Sequence, residues 1–142
     1  MSDFTTDGLH HVGTTVRDLD RAVAFYRDVF DCAVLDRFTV SGEAFETAVD
    51  VPGATGRFAH LDGGGARVEL VEYDPEGDEA AAESVNQPGS KHLAFDVDDL
   101  DAFYAALPDD VDTVSEPRTT SSGTCIMFLS DPEGNLVEVL EG

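Results

Sequence analysis

LHHVGTTVRDLD (residues 9–20) reads as a short strand with two adjacent histidines, an acidic cap and the start of a helix. KHLAFDVDDLD (91–101) says the same thing again. Setting His11 on His92 aligns HVGTTVRDLD with HLAFDVDDLD without a gap. Internal repetition of this kind decides the fold before any single element does.

Helices are expected over 17–30 and 98–107. Leu19, Ala22, Val23, Phe25, Val29 and Phe30 recur at helical spacing in the first, and Leu100, Phe103 and Leu107 in the second. Asp18 and Asp99 suit the N-caps, and Pro108 stops the second helix. Strand-like segments follow each helix. They are AVLDRFTV (33–40), FETAVDV (45–51), RFAHL (57–61) and RVELVEY (67–73) in the first half. In the second they are DTVSEP (112–117), TCIMFLS (124–130) and LVEVLE (136–141). Turns rich in Gly, Asp and Pro separate the closing strands. The organisation is β-α-β-β-β twice within one domain spanning 1–142. Module 1 covers about 8–73, a polar linker 74–90, and module 2 about 91–141.

Strand alternation assigns faces. His11, Gly13 and Thr15 share one face, and His92, Ala94 and Asp96 its counterpart. Glu69 and Glu138 lie on the equivalent face of each module's last strand, opposite Val68 and Leu70 or Val137 and Val139. His10 is expected on the other side, at the strand's edge. Two His and two Glu suit a divalent metal, because neutral imidazoles and two carboxylates cancel its charge. An octahedral ion held by four protein groups keeps two positions for water or substrate. The competing readings are structural: a hydrogen-bonded strand histidine, and an ion pair between Glu69 and Arg67.

The stretches HHVGTTVRDLDRAVAFYRDVF, ARVELVEY, KHLAFDVDDLDAF and DPEGNLVEVLE together resemble the vicinal oxygen chelate family. That family includes glyoxalase I, methylmalonyl-CoA epimerase, extradiol dioxygenases and bleomycin- or fosfomycin-resistance proteins. The resemblance implies an α+β fold of two βαβββ modules forming a cupped mixed β-sheet with helices outside, usually in a homodimer. It carries the metal ligands onto His11, Glu69, His92 and Glu138. It also implies a small substrate with vicinal oxygens and a divalent ion: Zn, Ni, Co, Mn or Fe. The ligand set looks most like glyoxalase I, a metal-dependent lyase/isomerase. There the metal stabilises an enediolate while Glu138 acts as base and Glu69 as ligand or second proton carrier. An iron(II) extradiol dioxygenase is the alternative that His11, His92 and Glu138 alone could supply, with His60 the spare histidine on a suitable strand. A methylmalonyl-CoA epimerase-like enzyme and a metal-free antibiotic-binding protein complete the alternatives.

Charge excludes other classes. Thirty acids against eight bases give −22, with Lys91 the one lysine. Such a charge repels nucleic acid and anionic membranes. Scattered acid with depleted lysine reads as a halophile's surface, kept soluble where salt screens its self-repulsion. No run approaches the roughly 18 apolar residues of a membrane span. MSDFTTDG lacks signal-peptide features, and Cys32 and Cys125 lack metal or redox spacing, so a cytoplasmic protein with reduced thiols is expected.

Overall fold

The computed structural model describes residues 5–141. Its contacts divide the chain into two compact units at Gly77/Asp78. In the first, β1 (Val12–Thr15) leads into α1 (Leu19–Phe30), then β2 (Ala33–Ser41), α2 (Glu43–Val49), β3 (Thr55–Asp62) and β4 (Arg67–Asp74). In the second, β5 (Leu93–Asp96) leads into α3 (Leu100–Ala106), β6 (Arg118–Thr119), β7 (Cys125–Ser130) and β8 (Leu136–Glu141). Each unit builds one four-stranded mixed sheet with the same order, β1-β4-β3-β2 and β5-β8-β7-β6. The first strand of each lies parallel to the last, and the other pairs are antiparallel. The sequence repeat is therefore a repeat of topology.

α1 and α3 start the same way. Asp18 accepts from Arg21 N–H and Asp99 from Ala102 N–H, so both expected caps are in place. A second acceptor comes from the end of each sheet. Glu72 Oε1 takes Leu19 N–H at 2.9 Å, and Glu141 Oε1 takes Leu100 N–H at 2.7 Å. Each helix N-terminus is thus tied to its own last strand, where a carboxylate also complements the helix dipole. Leu19, Ala22, Val23 and Tyr26 of α1 are buried, as are Ala59, Leu61, Val68 and Leu70 of the sheet. The register sets Ala59 opposite Leu70 and Leu61 opposite Val68, so these four share one face. In the second unit Leu100, Met127, Leu129, Val137 and Val139 form the equivalent core.

Two expected strands differ. FETAVDV is not a strand: α2 occupies Glu43–Val49 and ends at Asp50, whose left-handed backbone sends its N–H to Glu46 O. Phe45 and Val49 stand four apart, so a helical stripe fits them as well as an alternating pattern does. The pairing decides it, because β2 and β3 pair directly with each other. DTVSEP holds only the isolated bridge Thr113–Leu129, with Val114 N–H donating to Phe128 O, before β6 begins at Arg118. Pro117 has no N–H to extend that ladder.

Candidate active site

β1 sets Gly13 opposite Glu69, and β3 sets His60 opposite the same residue. The hairpin between β3 and β4 fixes that second register. Its turn closes through Gly63 N–H to Ala66 O at 2.8 Å. A Cβ on Gly63 would meet that carbonyl oxygen at 2.8 Å, and Gly64 and Gly65 have φ of +79° and +127°, so glycine is required there. The turn therefore places His60 on Glu69.

Around Glu69 the first unit gathers three imidazoles. His11 Nε2 lies 3.3 Å from Glu69 Oε2, and His60 Nε2 lies 2.8 Å from the same oxygen. His10 Nδ1 is 2.8 Å from His11 Nδ1, with ring centroids 5.1 Å apart. The expectation that His10 lies on the far side is thus corrected. β1 begins at Val12, so alternation does not extend back to His10. One nitrogen of the His10–His11 pair donates and the other accepts, which decides whether His11 Nε2 carries a proton or a lone pair.

His60 is fixed more tightly. Its ring is buried, and Arg67 Nη1 lies 3.2 Å from its Nδ1. A guanidinium only donates, so Nδ1 accepts and the ring proton sits on Nε2, directed at Glu69. Arg67, the ion-pair partner of Glu69 in the competing structural reading, reaches His60 instead. Beyond His60 the same face continues into aromatics. Phe38 stacks on Phe58 at 5.0 Å and meets His60 edge-on at 5.2 Å. Phe45 of α2 stacks against Tyr73 at 6.2 Å. Burial pushes the Tyr73 phenol up, and the Glu69 carboxylate adds to it, which keeps the hydroxyl protonated as a donor.

The second unit repeats the pair in simpler form. His92 Nε2 lies 3.3 Å from Glu138 Oε1. Glu138 is opposite Ala94 on one side and Phe128 on the other. Phe128 stands at the register position that His60 holds in the first unit, and its ring packs edge-on to His92 at 5.1 Å. The structure therefore joins His11 to Glu69 and His92 to Glu138. Among the described residues no group of three or more His, Cys, Asp or Glu side chains is arranged to hold a metal ion. Each pair nevertheless has metal-binding chemistry, an imidazole Nε2 beside a carboxylate oxygen. Sequence reasoning left His60 open, and the Gly-rich hairpin register was the signal that would have settled it.

The model of the Glyoxalase/Bleomycin resistance protein/Dioxygenase superfamily matches residues 8–139. The chain belongs to that superfamily. A 2-epi-5-epi-valiolone epimerase from Actinomyces sp is 29% identical over 93% of this chain and 78% of its own length. Metallothiol transferase FosB from Shouchella clausii (strain KSM-K16) is 30% identical over 96% of this chain and 81% of its own. Among solved structures, a glyoxalase family protein from Bacillus cereus matches with TM-score 0.87 at 21% identity, covering 99% of this chain and 97% of that one. Lactoylglutathione lyase from Agrobacterium tumefaciens matches with TM-score 0.62 at 24% identity, over 96% and 95%. These likenesses establish the glyoxalase fold, and the named relatives in the superfamily are enzymes of differing reaction.

Proposed function

We propose that this member of the superfamily is a metal-dependent isomerase or lyase of glyoxalase type. It moves a proton on the carbon beside a carbonyl in a small substrate with vicinal oxygens. The observation that carries this reading is the recurrence of one His–Glu pair, at 3.3 Å in each unit, on equivalent strands. In this reading His11, Glu69, His92 and Glu138 together hold one divalent ion (Zn, Ni, Co, Mn or Fe), with the modules pairing within a chain or across a homodimer. Such an ion supplies positive charge that acidifies the α-proton and stabilises the oxyanion.

The chain's own groups divide the work. Glu69 takes the His60 N–H and so has one oxygen already engaged. Glu138 has the Phe128 ring where Glu69 has that donor, and meets one imidazole, His92 at 3.3 Å, where Glu69 meets two. Glu138 is therefore the carboxylate suited to take and return a proton within about 3 Å of the reacting carbon. Similarity to an epimerase supports the same proton movement, since inversion beside a carbonyl is one of its outcomes. The dioxygenase reading would draw its acid–base histidine from His60, whose nitrogens face Arg67 and Glu69.

Proton exchange tests the proposal. Protein loaded with Ni, Co, Zn or Mn is expected to exchange the α-proton of a hydroxyketone or thiohemiacetal in D₂O, followed by ¹H NMR. Glu138→Gln should slow that exchange by about a hundredfold or more, since an amide cannot take the proton. Oxygen uptake with a catechol by iron-loaded protein overturns the proposal. So does thiol transfer, or tight antibiotic binding, without exchange.

A further inference from the structure

The two modules share the His–Glu pair and differ in the residue that β3 or β7 sets opposite its glutamate. His60 faces Glu69 where Phe128 faces Glu138. His60 is 6% exposed, its Nε2 lies 2.8 Å from Glu69 Oε2, and Arg67 Nη1 lies 3.2 Å from its Nδ1. A neutral imidazole has one donor and one acceptor, so an arginine on one nitrogen dictates what the other offers. Phe38 closes one side of the ring edge-on at 5.2 Å, and the His11 ring lies 5.5 Å away.

We propose that His60 is a positioning residue for Glu69, locked by Arg67 in the tautomer that donates from Nε2. Its N–H holds Oε2 and leaves Oε1 turned toward Gly13, where a Cβ would lie 3.5 Å from it. The consequence is a division between two carboxylates that the repeat makes look alike. Glu69 is the fixed one. Glu138, with a phenyl ring where Glu69 meets a second imidazole, has the His92 contact at 3.3 Å and is held by fewer groups. This inference rests on the reading of Glu69 as a metal ligand. It adds what holds that carboxylate in place, as outer-shell donors do at metal sites generally.

The test begins with metal-free protein labelled with ¹⁵N-histidine. Long-range ¹H–¹⁵N correlation should show His60 protonated at Nε2 and bare at Nδ1, and Arg67→Met should produce a mixture of tautomers. A proton on Nδ1 in the wild type overturns the proposal. So does a tautomer indifferent to Arg67. Zinc titration by calorimetry then separates positioning from bulk packing. His60→Phe, which copies the second module, should weaken zinc about ten- to a hundredfold, whereas His60→Gln should stay within about threefold because its amide still donates. Equal losses in the two variants, with folding intact by circular dichroism, overturn it as well. Wild type that takes up no zinc refutes the metal reading alone. The labelled protein then decides: Glu69→Leu must remove the hydrogen-bonded Nε2 proton, or the His60 proposal falls.

Discussion

Gly13 is the space beside the His11–Glu69 pair. A methyl there would sit 3.5 Å from Glu69 Oε1 and 3.9 Å from His11 Cδ2, ordinary contact distances. Gly13→Ala is therefore expected to fold normally and to gain up to about 1 kcal/mol from a less flexible unfolded chain. Gly13→Val pushes branched methyls into the volume between the two side chains. It should weaken zinc binding about tenfold or more while the melting temperature changes little, read by calorimetry and thermal unfolding. Unchanged binding in the valine variant would place the working volume elsewhere. That each unit sets one histidine beside one glutamate was legible because the repeat marked both residues twice. His60 was not, because its counterpart is Phe128 and a repeat only marks what it preserves. His10 was misplaced for a different reason: alternation was carried past the point where β1 begins.

α1 and α3 each begin under two carboxylates, one from the helix's own N-cap and one from the end of the sheet. The second matters because it ties the helix to the strand carrying the candidate proton-moving residue: Glu141 lies three residues after Glu138 on β8. Glu141→Ala strips Leu100 N–H of its partner and should cost about 1 kcal/mol, while Glu141→Gln should keep most of that because its amide oxygen still accepts. Urea unfolding checks this, with the midpoint falling and the slope unchanged. Equal loss in both variants would assign the effect to charge at the helix terminus instead. The aspartate caps were readable from sequence as local signals one turn from the helix. Glu72 and Glu141 were not, since their partners lie 53 and 41 residues away. α2 escaped for the converse reason: seven residues with two large apolar positions, Phe45 and Val49, satisfy either period, and only the direct pairing of β2 with β3 excludes a strand.

At the scale of the whole molecule the governing quantity is charge. The bases are mostly matched already: Arg17 with Glu76, Arg27 with Asp28, Arg37 with Asp20, Arg57 with Glu72 and Arg118 with Glu116. The hydrogen bond and charge of Arg37 hold the Asp20 carboxyl below its usual range. What remains is the excess behind the net −22, far more acids than Arg21, Arg67 and Lys91 can balance. Salt acts on both populations in opposite directions. Screening weakens the exposed pairs, which hold little at a surface open to water, and it weakens repulsion among all the remaining acids. Repulsion involves many more charges and reaches further, so it should win. The Debye length shrinks from about 10 Å at 0.1 M to about 3 Å at 1 M, below the spacing of most surface carboxylates. The melting temperature is therefore expected to rise by several degrees between 0.1 and 1 M KCl, and to go on rising more slowly above that. Chloride of potassium is the right probe, because sulfate stabilises most proteins by exclusion from their surface whatever their charge. A melting temperature flat across that range would mean that the surviving pairs offset the repulsion, and the salt-adapted reading of this surface would fail.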